Sequence, residues 1–227
     1  MPDEFIPFSF SEKGKSLCSL YPDPDVLKSI YKKLSENDKF GILRSFITEG
    51  IPYVYKENPL AYEAIRSFIA QRLQLNPKEV VLVGSGRIGY SLSKKQWGKP
   101  FDASSDLDFA LISQPLFRGL ANNLKSWIGD LKLSRFKVHS VQETKNWLSN
   151  IDALKNSLDR GFLQSNLFPY TDNYLTAKKL QSTMWLLNKR IAVTNNVPQI
   201  AKSSTRVYYD WLYCLKQLYI TFNHATS

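Results

Sequence analysis

Cysteine is nearly absent from this chain. Cys18 and Cys214 are the only two in 227 residues, and they form no C-x-x-C pattern. That excludes a disulfide framework and a thiolate zinc site. Histidine is equally scarce: His139 and His224 are the whole complement, too few for an imidazole metal cluster. No apolar run approaches the length of a membrane span, so no membrane partner is expected. The opening Met1-Pro2-Asp3-Glu4 lacks the basic-then-apolar order of a secretory leader. A cytoplasmic protein with reduced thiols is therefore expected. Internal repeats and low-complexity tracts are also missing.

Hydrophobic and charged residues are plentiful. The chain is 43% hydrophobic and 13% aromatic, enough to bury a core as one large domain or two small lobes. Lys and Arg number 30 against 20 Asp and Glu, a net charge of +10. The surplus is spread along the chain. A basic surface favours polyanions, here nucleic acid or nucleotides.

One stretch has residue types suited to chemistry. Val80-Val81-Leu82-Val83 reads as a short buried strand, ended by Gly84-Ser85-Gly86 with Arg87 close behind. Asp106 and Asp108 follow, one residue apart, leading into the apolar Phe109-Ala110-Leu111-Ile112. Residues i and i+2 of a strand share a face, so the two carboxylates stand side by side. Two such acids repel unless a cation lies between them. Oxygen ligands suit a hard ion, and Mg²⁺ commonly takes one or two carboxylates plus substrate phosphates. Glycines let a backbone approach an anion, and a serine hydroxyl adds a donor.

At these residues the sequence resembles the nucleotidyltransferase superfamily related to DNA polymerase β. The shared signature is a G-S turn after a strand, then D-x-D on the next. Here those are Gly84-Ser85 and Asp106-Leu107-Asp108, in the context S-D-L-D. The longer form, G-S-G-R-I-G-Y-S-L and then G-K-P-F-D-A-S-S-D-L-D, is similar to a group of bacterial nucleotidyltransferase-domain proteins. The resemblance covers the middle third of the chain. It implies an α+β fold in which a small mixed or antiparallel sheet carries the site. It also implies Mg²⁺ or Mn²⁺ on Asp106 and Asp108. A nucleoside triphosphate would be held by Gly84, Ser85, Gly86 and Arg87 and transferred to an RNA end, a protein side chain or another nucleotide.

The superfamily places a third carboxylate on a later strand. The expected strand, 136–141, reads Phe-Lys-Val-His-Ser-Val, with His139 in the plausible position and no acid. Three readings follow. His139 acts as the base. Alternatively, an acid from elsewhere, such as Asp130, Glu143 or Asp159, fills the gap. In the third, a degenerate site binds nucleotide, nucleic acid or a partner protein without turnover, as in a toxin–antitoxin or phage-defence system.

The remaining segments organise around this stretch. Residues 1–78 are expected to form an aromatic-rich arm and helices packed on the core. Residues 79–160 form the nucleotidyltransferase core, with a helix over 115–129 and another over 143–159. Residues 161–227 form a C-terminal helical lobe: a long helix over 173–194, then a last one capped by Ser203-Ser204-Thr205 and buried through Val207, Trp211, Leu215, Leu218 and Phe222. The loop 93–104 alternates Lys94, Lys95, Trp97, Lys99 and Phe101. That pattern suits a polynucleotide or protein acceptor, but equally an insertion pinned down by its aromatics.

Overall fold

The computed structural model describes residues 12–13, 17, 21–135 and 140–226. Two short helices open the described chain: α1 (Pro24–Tyr31) and α2 (Glu36–Ile42). The long helix α3 (Pro59–Leu73) leads into strand β1 (Val80–Val83), the single turn α4 (Ser85–Ile88) and strand β2 (Leu107–Ile112). Helices α5 (Gln114–Lys132) and α6 (Val141–Asp159) follow, then the short strand β3 (Phe162–Leu163). Helix α7 (Leu175–Ala192), strand β4 (Ser203–Tyr208) and helix α8 (Trp211–Thr226) complete the set.

Local signals set these boundaries. Asp23 caps α1 by accepting from the amides of Asp25 and Val26, with Pro24 at the first helical position. Asn58 and Pro59 start α3 in the same way, and Gln74 ends it in the left-handed region (φ 60°). Ser113 caps α5. That helix runs through Gly129 to Lys132, past the stop that Gly129-Asp130 suggests from sequence, because a helix tolerates a lone glycine.

The described strands form one mixed sheet in the order β1-β2-β4-β3. β1 runs antiparallel to β2, β2 parallel to β4, and β4 antiparallel to β3. The fold is thus α+β with a small mixed sheet. Successive side chains alternate between two apolar layers. Val80, Leu82, Leu107, Phe109, Leu111 and Val207 pack against α3, α5, α6 and α7, where Ile69, Leu124, Trp127, Leu154 and Leu180 are buried. Val81, Ala110, Ile112 and Tyr208 face the other way, toward Leu27, Tyr31, Ile42, Leu218 and Phe222 of α1, α2 and α8. Among the described residues, no helix is long and apolar enough to cross a membrane.

Three expectations need correction. Ser203-Ser204-Thr205 does not cap a helix; it opens β4, and the last helix begins at Trp211 after Asp210. The segment 161–227 is therefore not purely helical, since it supplies two of the four strands. Of the expected strand 136–141, residues 136–139 lie outside the described residues. Its end is helical instead: Ser140 caps α6 at Val141, donating nothing to a sheet and accepting from the Glu143 amide at 3.1 Å.

Trp127 is fully buried. Its ring meets Trp147, Phe168 and Tyr174 at centroid distances of 6.0, 5.9 and 6.2 Å, tying α5 to α6 and to the segment before α7. Trp127→Ala should cost about 3–5 kcal/mol in urea unfolding; a loss below about 1 kcal/mol would show that this cluster does not join the helices.

Candidate active site

The site is built at the end of β1. After Val83 the chain enters Gly84 with φ 68° and ψ −150°, a backbone conformation open essentially to glycine alone. Val83 lies directly across from Asp108 in the antiparallel ladder. The Gly84 turn therefore comes down on the Asp108 carboxylate, and a Cβ at Gly84 would sit 3.2 Å from Asp108 Oδ2. Glycine is required here twice, for the turn and for the close approach.

β4 supplies the opposite wall. Ser204 is the in-register neighbour of Asp108, and its hydroxyl donates to Asp108 Oδ1 at 2.6 Å. Arg206 lies two residues along on the same face. Just before the strand, Lys202 Nζ lies 3.6 Å from Asp106 Oδ2. Asp106 and Asp108 thus share one face of the sheet with Lys202, Ser204 and Arg206. Burial pushes the Asp108 carboxyl above its ordinary range and the Asp106 charge adds to that. The Ser204 bond and the Arg206 and Lys202 charges oppose it.

These walls enclose a cleft of ≈ 370 Å³, lined by Gly84, Ser85, Ser91, Ser93, Asp108, Ser204 and Arg206, with Gln217, Leu218 and Thr221 of α8 as its floor. Leu92, Ser93 and Thr221 also line a neighbouring groove of ≈ 500 Å³ that bears Lys94, Lys95 and His224. A larger cavity, ≈ 580 Å³, lies at the far end of the strands, beside Ile112 and Tyr209. It holds neither aspartate, so the chemistry points to the smaller one.

No family model, no curated protein and no solved structure matches the chain. What the site can do is therefore read from its own residues.

The structure divides the expected site residues. Gly84, Ser85 and Asp108 line one cleft, and Asp106 flanks it. Gly86 does not line it: a Cβ there would lie 3.1 Å from Leu107 Cδ2 and 3.2 Å from Leu82 Cδ2, so its role is to let α4 settle on the sheet. Arg87 does not line it either. Its side chain is 1% exposed. It donates to the carbonyls of Ile51, at 2.5 Å, and Glu49. Burial lowers the guanidinium pKa from its ordinary value. This arginine clamps the turn before α3, and its sequence position beside the G-S turn does not make it a phosphate ligand. His139 lies outside the described residues.

Asp130, Glu143 and Asp159 do not line the cleft. Asp130 instead accepts from Tyr174 Oη at 3.2 Å and pairs with Arg135 at 3.6 Å. Among the described residues no three His, Cys, Asp or Glu side chains gather to hold a metal. Two carboxylates on one face at the start of β2 fit a hard ion whose remaining ligands are a substrate's phosphate oxygens and water. Of the two readings of the 93–104 loop, its aromatics fit an insertion pinned to the body: Trp97 packs on Tyr90 at 6.3 Å, with Lys28 Nζ 5.6 Å from its ring. Of that loop, Ser93, Lys94 and Lys95 line the groove.

The sequence reading missed Ser204, Arg206 and Lys202. Their signal was weak: S-S-T-R-V-Y holds two β-branched residues, but its alternation appears only in the burial of the folded strand.

Two outcomes follow. Arg87→Ala should lower stability by about 3 kcal/mol, through the loss of a fully buried side chain and of its bonds to the Glu49 and Ile51 carbonyls, the second of which keeps Tyr21 Oη as a donor. Ligand affinity per folded molecule should stay unchanged; an affinity loss at full stability would return Arg87 to the site. Asp108→Asn should raise the melting temperature at neutral pH. The folded-state pKa is raised, so ionisation costs more in the folded chain than in the unfolded one. That penalty is absent below the unfolded carboxylate pKa and complete above the folded one. The gain should thus disappear in acid, and a pH-independent gain would contradict this account.

Proposed function

We propose that the chain is a nucleotidyltransferase of the polymerase-β-like type, which binds a nucleoside triphosphate in the cleft beneath the Gly84 turn. One observation carries this reading: a glycine-only backbone turn suited to phosphate lies against the carboxylate of a D-x-D strand, in one cleft. Within the α+β frame, the nucleotidyltransferase type rests on that juxtaposition and on the sequence resemblance.

The chain's own residues take the following roles. The Ser85 hydroxyl and the backbone amides after Gly84 donate to phosphate oxygens. Arg206 and Lys202 offset the charge of the leaving pyrophosphate. Asp106 and Asp108 would hold Mg²⁺, or Mn²⁺ in its place, which supplies charge neutralisation and polarises the reacting phosphate. The acceptor hydroxyl enters along the Lys94–Lys95 groove and forms the new bond to the α-phosphorus. The bond from that phosphorus to the α–β bridging oxygen breaks, pyrophosphate leaves, and the hydroxyl proton passes to solvent. An RNA end, a protein side chain and a nucleotide are all acceptors of this class.

A second reading has its own support. The strand flanking β2 on the side away from β1 presents Ser204 and Arg206 where an acid would complete a three-carboxylate site. On that reading the cleft is a nucleotide- or partner-binding module without turnover, of a kind suited to a toxin–antitoxin or defence system.

Calorimetry with each nucleoside triphosphate, with and without Mg²⁺, separates the two. A transferase should bind in a Mg²⁺-dependent way and pass α-labelled nucleotide to added tRNA or to protein. Asp106→Asn and Asp108→Asn should each slow transfer at least ~100-fold. Because burial favours the protonated Asp108, affinity should fall on acidification before the ordinary carboxylate range is reached, and Asp108→Asn should flatten that limb. Metal-independent binding that survives Asp108→Asn would select the module. No binding of any triphosphate would sink the transferase and the nucleotide-binding form of the module.

A further inference from the structure

Helix α7 carries Lys178, Lys179, Lys189 and Arg190 and no acidic residue along its whole length. Its outer side also bears an exposed tryptophan. Trp185 is 59% exposed, and Tyr170, in the segment leading to the helix, is 62% exposed. The two rings bound a shallow, mainly apolar cavity of ≈ 450 Å³, completed by Gln181 and Ser182. Leaving so much aromatic surface in water forgoes burial energy. Two open rings and the charge beside them thus stand together on one face.

The rings are held in place. Gln181 Nε2 donates to the carbonyls of Ser165 and Phe168 at 2.7 and 3.1 Å, fixing the approach to Tyr170 against α7. Lys178, Ser182, Trp185 and Lys189 recur at spacings of four, three and four, so they form one stripe about 16 Å long at the helical rise. Each ring has an ammonium group near it: Lys178 Nζ is 5.4 Å from the Tyr170 centroid and Lys189 Nζ is 5.8 Å from that of Trp185. The acid of this patch, Asp172, pairs with Lys178 at 2.6 Å.

A ligand matched to this face has flat π-surfaces for the rings and regularly spaced negative charge for the lysines. A duplex hides its base faces in the stack. An acidic peptide would meet the lysines and leave the rings bare. We propose that this face of α7 binds single-stranded polynucleotide, with bases stacked on Tyr170 and Trp185 and phosphates met by Lys178 and Lys189. The inference is independent of what the Asp108 cleft does.

Fluorescence anisotropy with labelled oligo(dT) and oligo(U) of about twelve nucleotides, and with a duplex of equal length, tests this. Both single strands should bind more tightly than the duplex, and a preference between them names DNA or RNA as the source. Trp185→Ala and Tyr170→Ala should each weaken binding about 5- to 100-fold, while Trp185→Phe keeps most of it. Lys189→Ala should reduce the salt slope by about 0.7. These side chains are exposed, so an unchanged melting temperature confirms folded variants. The proposal is overturned if the duplex binds as well as the single strands or if Trp185→Ala binds normally. It is also overturned if binding is lost through Lys94→Ala and Lys95→Ala instead. Absence of oligonucleotide binding, with Trp185 emission shifting as protein concentration rises, would assign the face to a second copy of the chain.

Discussion

The parallel pairing of β2 with β4 is the constraint on which this molecule rests. It aligns Leu107–Ile112 with Ser203–Tyr208 residue by residue, and both apolar layers are organised about that ladder. A slip by one residue would turn Ser204 and Arg206 toward the layer occupied by Phe109 and Leu111, and bring Thr205 and Val207 to the cleft. Register is therefore specified by the core and delivered to the site: the same alternation that buries Val207 sets a hydroxyl against Asp108.

The Asp108 carboxylate shows what that delivery builds. It is packed beneath a glycine turn, bonded to one hydroxyl and shares its face of the sheet with a second acid. Nothing in folding requires a charge there, and an apolar residue would be cheaper. Lys202 and Arg206 offset part of the burden from the rim. A group that costs stability and opens onto a cleft is the usual mark of a residue kept for binding or chemistry.

Much of this was legible in the sequence, and the exceptions have physical causes. The β1 and β2 strands were readable because short β-branched or apolar runs stood beside glycine and paired acids. The helices expected over 115–129, 143–159 and 173–194 stand where α5, α6 and α7 are. β4 was misread because serine and threonine serve equally as helix caps and as strand residues, and only pairing with β2 decides between them. Arg87 was misassigned because proximity to a phosphate-type turn says nothing of where a long side chain goes. Its destination, two carbonyls in the turn before α3, depends on tertiary packing. Gly86 was grouped with Gly84 for the same reason, although one faces the cleft and the other the sheet.

The hydrogen bond between Ser204 and Asp108 spans 96 positions of the chain. A ribosome emits the aspartate first and the serine far later, so the cleft has only one wall while those 96 positions are made. The nascent polypeptide accordingly passes through a long period in which its acids are exposed and its pocket does not exist. Any activity housed there switches on late, when β4 inserts between β2 and β3.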